Sequence, residues 1–114
     1  EGEIMEWIAR EYKNIFIVSL KGDMDAVTVP ALEEFLTKSI AKGRVNVLLN
    51  MEKVFYMSSA GLRTLLSLAK LTQNHNGKLC ICCLRDEVAD IIRIAGLDKV
   101  ITIRKAEQES FSDF

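Results

Sequence analysis

The sequence predicts a single α/β domain, a mixed and mostly parallel β-sheet covered by helices, and three observations carry that expectation. From residue 14 onward, stretches of strand-like composition alternate with stretches of helical period, joined by short connections. The six glycines fall at 2, 22, 43, 61, 77 and 96, mostly where one period gives way to another. A length of 114 residues, 49% apolar and 27% charged, suits one domain that buries roughly 65% of its unfolded surface. The domain is expected to span residues 3–114, and the opening Glu1-Gly2 carries no structural weight.

Taken in order, residues 4–10 and 14–20 read as strands, the second rich in β-formers (Ile15-Phe-Ile-Val18) and bounded by Asn14 and Lys21-Gly22. Glu11 to Asn14 would be the turn between them. From Val29 the apolar residues Val29, Leu32, Phe35, Leu36 and Ile40 recur at helical spacing, with Thr28 as N-cap, Pro30 in the tolerant first turn and Gly43 as the stop. Val45 to Leu49 is an apolar strand of the kind buried on both faces. Val54 to Met57 is a short apolar link.

A second helix is expected from about Ala60 to His75, with Leu62, Leu65, Leu66 and Ala69 on one side and Leu68 and Leu71 widening the stripe; Asn76-Gly77 ends it. Lys78 to Leu84 reads as a strand. Asp86 then caps a short helix that turns Val88, Ile91, Ile92 and Ala95 inward and ends at Gly96, after which Leu97 can fold back on Ile92. Val100 to Ile103 is a last strand, and Lys105 to Phe114 a polar tail, open to a helical reading, that carries Phe111 and Phe114. The opening strand pair adds an antiparallel edge to the sheet.

Composition excludes several functions. With 15 Lys+Arg against 16 Asp+Glu, the net charge of -1 supplies no field for nucleic acid or an anionic membrane. The longest apolar run, Leu79 to Leu84, is six residues, far below the ~18 that a spanning helix needs, so no membrane insertion and a cytoplasmic location are expected. That run also holds Cys80, Cys82 and Cys83, too close and too odd in number for a disulfide framework. They are expected to be free thiols on one strand, two on one face and one on the other, with no fourth ligand for zinc. No glycine pair is spaced for a phosphate-binding loop. Neither a cofactor nor a metal is implied.

Two loops at the carboxyl ends of strands stand out, Gly22 to Thr28 and Val54 to Gly61, because open sheets of this kind gather functional groups there. In Met57-Ser-Ser-Ala-Gly-Leu62 one serine, Ser58 or Ser59, is accounted for as a helix N-cap. The other lies at or inside the helix start, where free amides and the helix dipole tolerate a phosphoryl group. Modification there would leave the helix intact and act on a docking surface. A serine hydrolase is not expected, since the lone His75 lies 16 positions beyond Ser59 on the same helix, about 24 Å away at 1.5 Å per residue. His75 reads as a last-turn residue that meets terminal carbonyls.

The segments Gly22-Asp-Met-Asp25 and Met57-Ser-Ser-Ala-Gly-Leu62, about 33 residues apart, resemble those of the anti-sigma factor antagonists of the STAS domain class, and the resemblance covers nearly the whole chain. It implies that Ser59 is the phosphorylatable serine, with Ser58 as runner-up, and that Asp25 is the acidic residue of the first segment. The family's second motif has an acid where this sequence has Ser58. What the resemblance implies is a partner switch: the unmodified protein binds an anti-sigma factor that is also a serine protein kinase, freeing the sigma factor. Phosphorylation breaks that complex, and a PP2C-type serine phosphatase resets it. Partner contacts are expected at Met24, Asp25, Ser58, Ser59, Arg63 and Thr64, with Val27, Tyr56 and Met57 as apolar candidates, and the free protein is expected to be a monomer. Alternatives remain for each: an Asx turn for Asp25, a solvated helix face for Arg63 and Thr64, packing for the apolar residues. For the whole domain the alternative is a scaffold subunit of a signalling or lipid-transport complex without phosphoswitching.

Overall fold

The computed structural model describes residues 4–114, so Glu1, Gly2 and the expected domain start at Glu3 lie outside the described residues. Five strands form one sheet in the order β1-β2-β3-β4-β5, where β1 is Glu6–Tyr12, β2 Ile15–Met24, β3 Asn46–Met57, β4 Lys78–Cys82 and β5 Thr102–Arg104. β1 runs antiparallel to β2 and every other pair is parallel. The helices α1 (Val29–Ala41), α2 (Ser59–Asn74) and α3 (Asp86–Ile94) each connect one parallel strand to its neighbour. Because such crossovers are right-handed and the strand order never reverses, all three lie on the same face of the sheet.

The core divides accordingly. On the helix side, Leu32, Leu36 and Ile40 of α1, Leu65 and Leu68 of α2, and Val88 and Ile92 of α3 pack on Val18, Leu20, Val47, Leu49 and Ile81 of the sheet. The opposite face buries a smaller cluster, Ile15, Ile17, Leu48, Cys80 and Cys82, under Phe111 and Phe114 of the tail. That tail is the short helix α4 (Glu107–Ser110) and a following 3-10 turn (Phe111–Asp113). Glu107 ties it to Asn50 and Arg10, Asp113 receives two hydrogen bonds from Arg104 at 2.8 and 2.9 Å, and Phe111 stacks on Tyr12 at 4.8 Å between ring centroids.

Several boundaries differ from the sequence reading, each for a local reason. β1 runs two residues further than expected, to Tyr12, and the turn shrinks to Lys13-Asn14 with Lys13 at φ 56. β2 continues through Gly22 to Met24 past two register shifts. β3 does not stop at Leu49: the expected link is its continuation, burying Met51, Val54 and Met57 at every third position because those shifts break the two-residue alternation. Asp86 is the first residue of α3, and Arg85 holds the cap position without a side-chain cap. Ala95 is exposed, whereas Gly96 does end the helix at φ 79 and Leu97 folds back into the core.

The cysteine expectation also needs correcting. β4 ends at Cys82, and Cys83 adopts a left-handed φ of 65 that returns its side chain to the cluster holding Cys80 and Cys82. Burial pushes the Cys80 thiol up to about 11 and raises that of Cys82 further, so neither supplies a thiolate near neutral pH.

Candidate functional site

β2 and β3 are neighbours and end level with each other, Met24 opposite Met57, so the loops that leave them emerge side by side. The Met24 carbonyl knits the two loops together. It accepts the Ser58 backbone N–H at 2.9 Å and the Ser58 hydroxyl at 3.3 Å. Gly61 completes the junction. A Cβ added there would lie 2.9 Å from the Met24 carbonyl oxygen and 2.8 Å from Met57 Cγ, closer than ordinary contact, so only glycine lets α2 approach β2 this closely. The two sequence segments are therefore halves of one packed joint.

The two serines have separate roles. Ser58 is extended at the N-cap, and its hydroxyl accepts from the Ala60 N–H at 3.2 Å while leaning on Met24. Ser59 is the first helical residue, exposed, and its hydroxyl makes no hydrogen bond among the described residues. No acidic residue occupies the first turn of α2, so the positive end of its dipole is not offset there. Arg63 lies one turn further along and is exposed.

Asp25 makes the Asx turn that was one of its two readings: its carboxylate accepts the Val27 and Thr28 N–H groups at 3.0 and 3.1 Å. It caps the start of α1 in place of Thr28, whose hydroxyl instead donates to the Asp23 carbonyl at 2.6 Å and receives the Asp25 N–H. The expected side-chain cap from Thr28 is thus absent. Asp25 remains half-exposed.

Two expected contact residues are withdrawn from the surface. Met24 is fully buried under the joint, and Thr64, 4% exposed, faces α1 and donates to Glu33 at 3.1 Å. Met57 is buried as well, whereas Val27 and Tyr56 stand 67% and 51% exposed. Of the expected set, Asp25, Ser58, Ser59 and Arg63 reach solvent, as do the apolar candidates Val27 and Tyr56. An open groove of about 600 Å³ runs between α1 and α2, bordered by Val29, Glu33, Arg63, Ser67 and Lys70. Sequence reasoning missed Glu33, Ser67 and Lys70. Their signal was the spacing of Arg63, Ser67 and Lys70, which at i, i+4 and i+7 share a helix face. A larger open crevice of about 760 Å³, between the β4–α3 connection and α4, contains neither serine.

Nothing in this arrangement resembles a nucleophile with its base. His75 sits at the far end of α2, its Nδ1 3.0 Å from the Leu71 carbonyl. What the geometry provides is a presented hydroxyl at a helix start, exposed apolar side chains at Val27 and Tyr56, and a polar groove. No helix among the described residues is long and apolar enough to cross a membrane.

Residues 6–110 match the STAS domain. The anti-sigma-B factor antagonist of Staphylococcus aureus is 30% identical over 91 residues, 80% of this chain and 84% of that protein. The crystal structure of an anti-sigma factor antagonist from Mycobacterium paratuberculosis superposes with a TM-score of 0.86 at 20% identity, over 96% of this chain and 92% of that one. The Bacillus cell fate determinant SpoIIAA in its phosphorylated form gives a TM-score of 0.73 at 15% identity, over 95% and 98%. The chain belongs to the STAS domain family, and its named relatives place it with the anti-sigma factor antagonists of that family.

Proposed function

We propose that this protein is a phosphorylation-controlled antagonist of an anti-sigma factor. In the unmodified state it docks that partner, itself a serine kinase, on the surface made by Asp25, Val27, Tyr56, Ser59 and Arg63, and the sigma factor is released. Phosphorylation of Ser59 by the bound kinase ends the interaction, and a PP2C-type phosphatase restores it. The observation that carries the reading is the division of labour between the serines: Ser58 is spent on the cap and the joint, while Ser59 offers an uncommitted hydroxyl at the helix start.

A phosphoryl group at Ser59 adds about two negative charges and three acceptor oxygens where the first-turn amides tolerate them, so the fold persists. Its effect falls on the partner. Any apolar or acidic partner surface seated over Ser59 would meet a hydrated dianion, at a cost in desolvation and repulsion. Free thiols with a buried pair at Cys80 and Cys82 suit a reducing, cytoplasmic setting for this exchange. The test is incubation with the anti-sigma kinase and ATP followed by peptide mapping of phosphate. Modification at Ser59 is expected; modification confined to Ser58, or absent from both, overturns the assignment.

A further inference from the structure

β1 forms one edge of the sheet, and among the described residues its outer N–H and C=O groups have no strand beside them. Its side chains alternate. Trp7 turns into the core, as does Met5 just before the strand, whereas Glu6, Ile8, Arg10 and Tyr12 face the side away from the three helices, with exposed Ile4 leading into them. Ile4 is 65% exposed, Ile8 75% and Tyr12 43%, three large apolar side chains in a row with a carboxylate and a guanidinium between them. A lone exposed apolar residue needs no explanation, but a regular stripe along an unpaired edge strand and the residues that lead into it does.

We propose that this edge pairs with β1 of a second copy of the chain, antiparallel, about a two-fold axis through Ile8. In that register Ile8 faces Ile8, Ile4 faces Tyr12, and Glu6 faces Arg10, each cross pair occurring twice, with Cβ atoms about 4.5–5.5 Å apart. Every apolar residue of the stripe meets an apolar one and every charge meets its opposite. Neighbouring registers lose this match. An axis through Ala9 sets Ile8 against Arg10 and Glu6 against Tyr12, and one through Trp7 sets Ile8 against Glu6 and Ile4 against Arg10.

Arg10 already holds Glu107 of its own chain with one nitrogen, and the remaining guanidinium donors can receive a second carboxylate. The other edge of the sheet, β5, has only three residues and no such stripe. Pairing at β1 joins two five-stranded sheets into one continuous sheet and sends the two serine ends in opposite directions, leaving both able to dock a partner. It replaces the expected monomer.

Sedimentation velocity on the full chain tests the proposal without any partner protein. The wild-type chain should show a concentration-dependent shift toward twice the monomer mass between about 10 μM and 1 mM, the weak end of specific association. Glu6→Arg and Arg10→Glu should each weaken self-association about tenfold or more, because two attractive contacts become repulsive. An equimolar mixture of the two should recover it, since each guanidinium of the first variant then faces a carboxylate of the second. Ile8→Glu, at a position that supports nothing inside its own chain, should be monomeric with an unchanged circular dichroism spectrum. A wild-type chain that stays monomeric throughout, a dimer that survives Ile8→Glu, or two folded charge variants whose mixture stays monomeric would each overturn the proposal.

Discussion

Replacing Gly61 with Ala distinguishes the packed joint from an ordinary helix start. On an exposed helix the change gains about 1 kcal/mol, because alanine is the better helix former. Here the new Cβ would stand 2.8 Å from Met57 Cγ, 2.9 Å from the Met24 carbonyl oxygen and 3.0 Å from Met24 Cβ. Met57 can rotate away, but the Met24 carbonyl is backbone and already receives the Ser58 N–H at 2.9 Å. Overpacking of this kind costs about 1–3 kcal/mol, and contact with backbone places it toward the upper end. Set against the helix gain, the net loss is about 1–2 kcal/mol, a fall in melting temperature of about 4–8 °C for a domain of this size. Urea unfolding followed by circular dichroism reads it as a lower midpoint with an unchanged slope. A variant as stable as the wild type, or more stable, would refute the claim that the two loops meet at this glycine.

The serines should separate in the same assay. Ser58→Ala is expected to cost about 1 kcal/mol through the lost cap, and Ser59→Ala less than about 0.5 kcal/mol; the reverse order would exchange their roles. Gly77→Ala should be more damaging than Gly61→Ala, since its Cβ would fall 2.0 Å from the Val45 carbonyl oxygen, and soluble yield reports it. With a thiol reagent near pH 8, native protein should show one reacting cysteine, Cys83, and three after denaturation; rapid labelling of Cys80 or Cys82 would contradict their burial and raised thiol values. The hydrogen bonds from Arg104 hold the Asp113 carboxyl below the usual carboxylate range, so its contribution is complete above that range and is lost as pH falls through the depressed value. Asp113→Asn should accordingly flatten the acid loss of tail docking, followed by near-ultraviolet dichroism of Phe111 and Tyr12.

Much of the fold was legible because periodicity and punctuation agreed. α1 carries its apolar residues at helical spacing up to the glycine that follows it, and Gly96 ended α3 where its position implied. The second half of β3 was not legible. Its partner strand shifts register, so burial falls on Met51, Val54 and Met57, a period that belongs to neither a flat strand nor a helix. Cys83 was misplaced for a related reason, since a left-handed backbone at a non-glycine residue leaves no mark in the pattern. At the site, the motifs located both serines and Asp25, but which serine capped the helix depended on a carbonyl 34 residues away. Thr64 and Met24 looked available from sequence because their burial depends on α1 and β3 packing against them.

The central claim is that Ser59 controls docking without altering the fold. Calorimetric titration of the anti-sigma factor with the unmodified chain, and with the chain stoichiometrically phosphorylated at Ser59, tests it most directly. The account predicts saturable binding of the unmodified chain and at least about a hundredfold weaker binding of the phosphorylated one, about 2.7 kcal/mol, with the two forms melting within a few degrees of each other. Equal binding by the two forms, or loss of binding together with loss of the folded state, would contradict it.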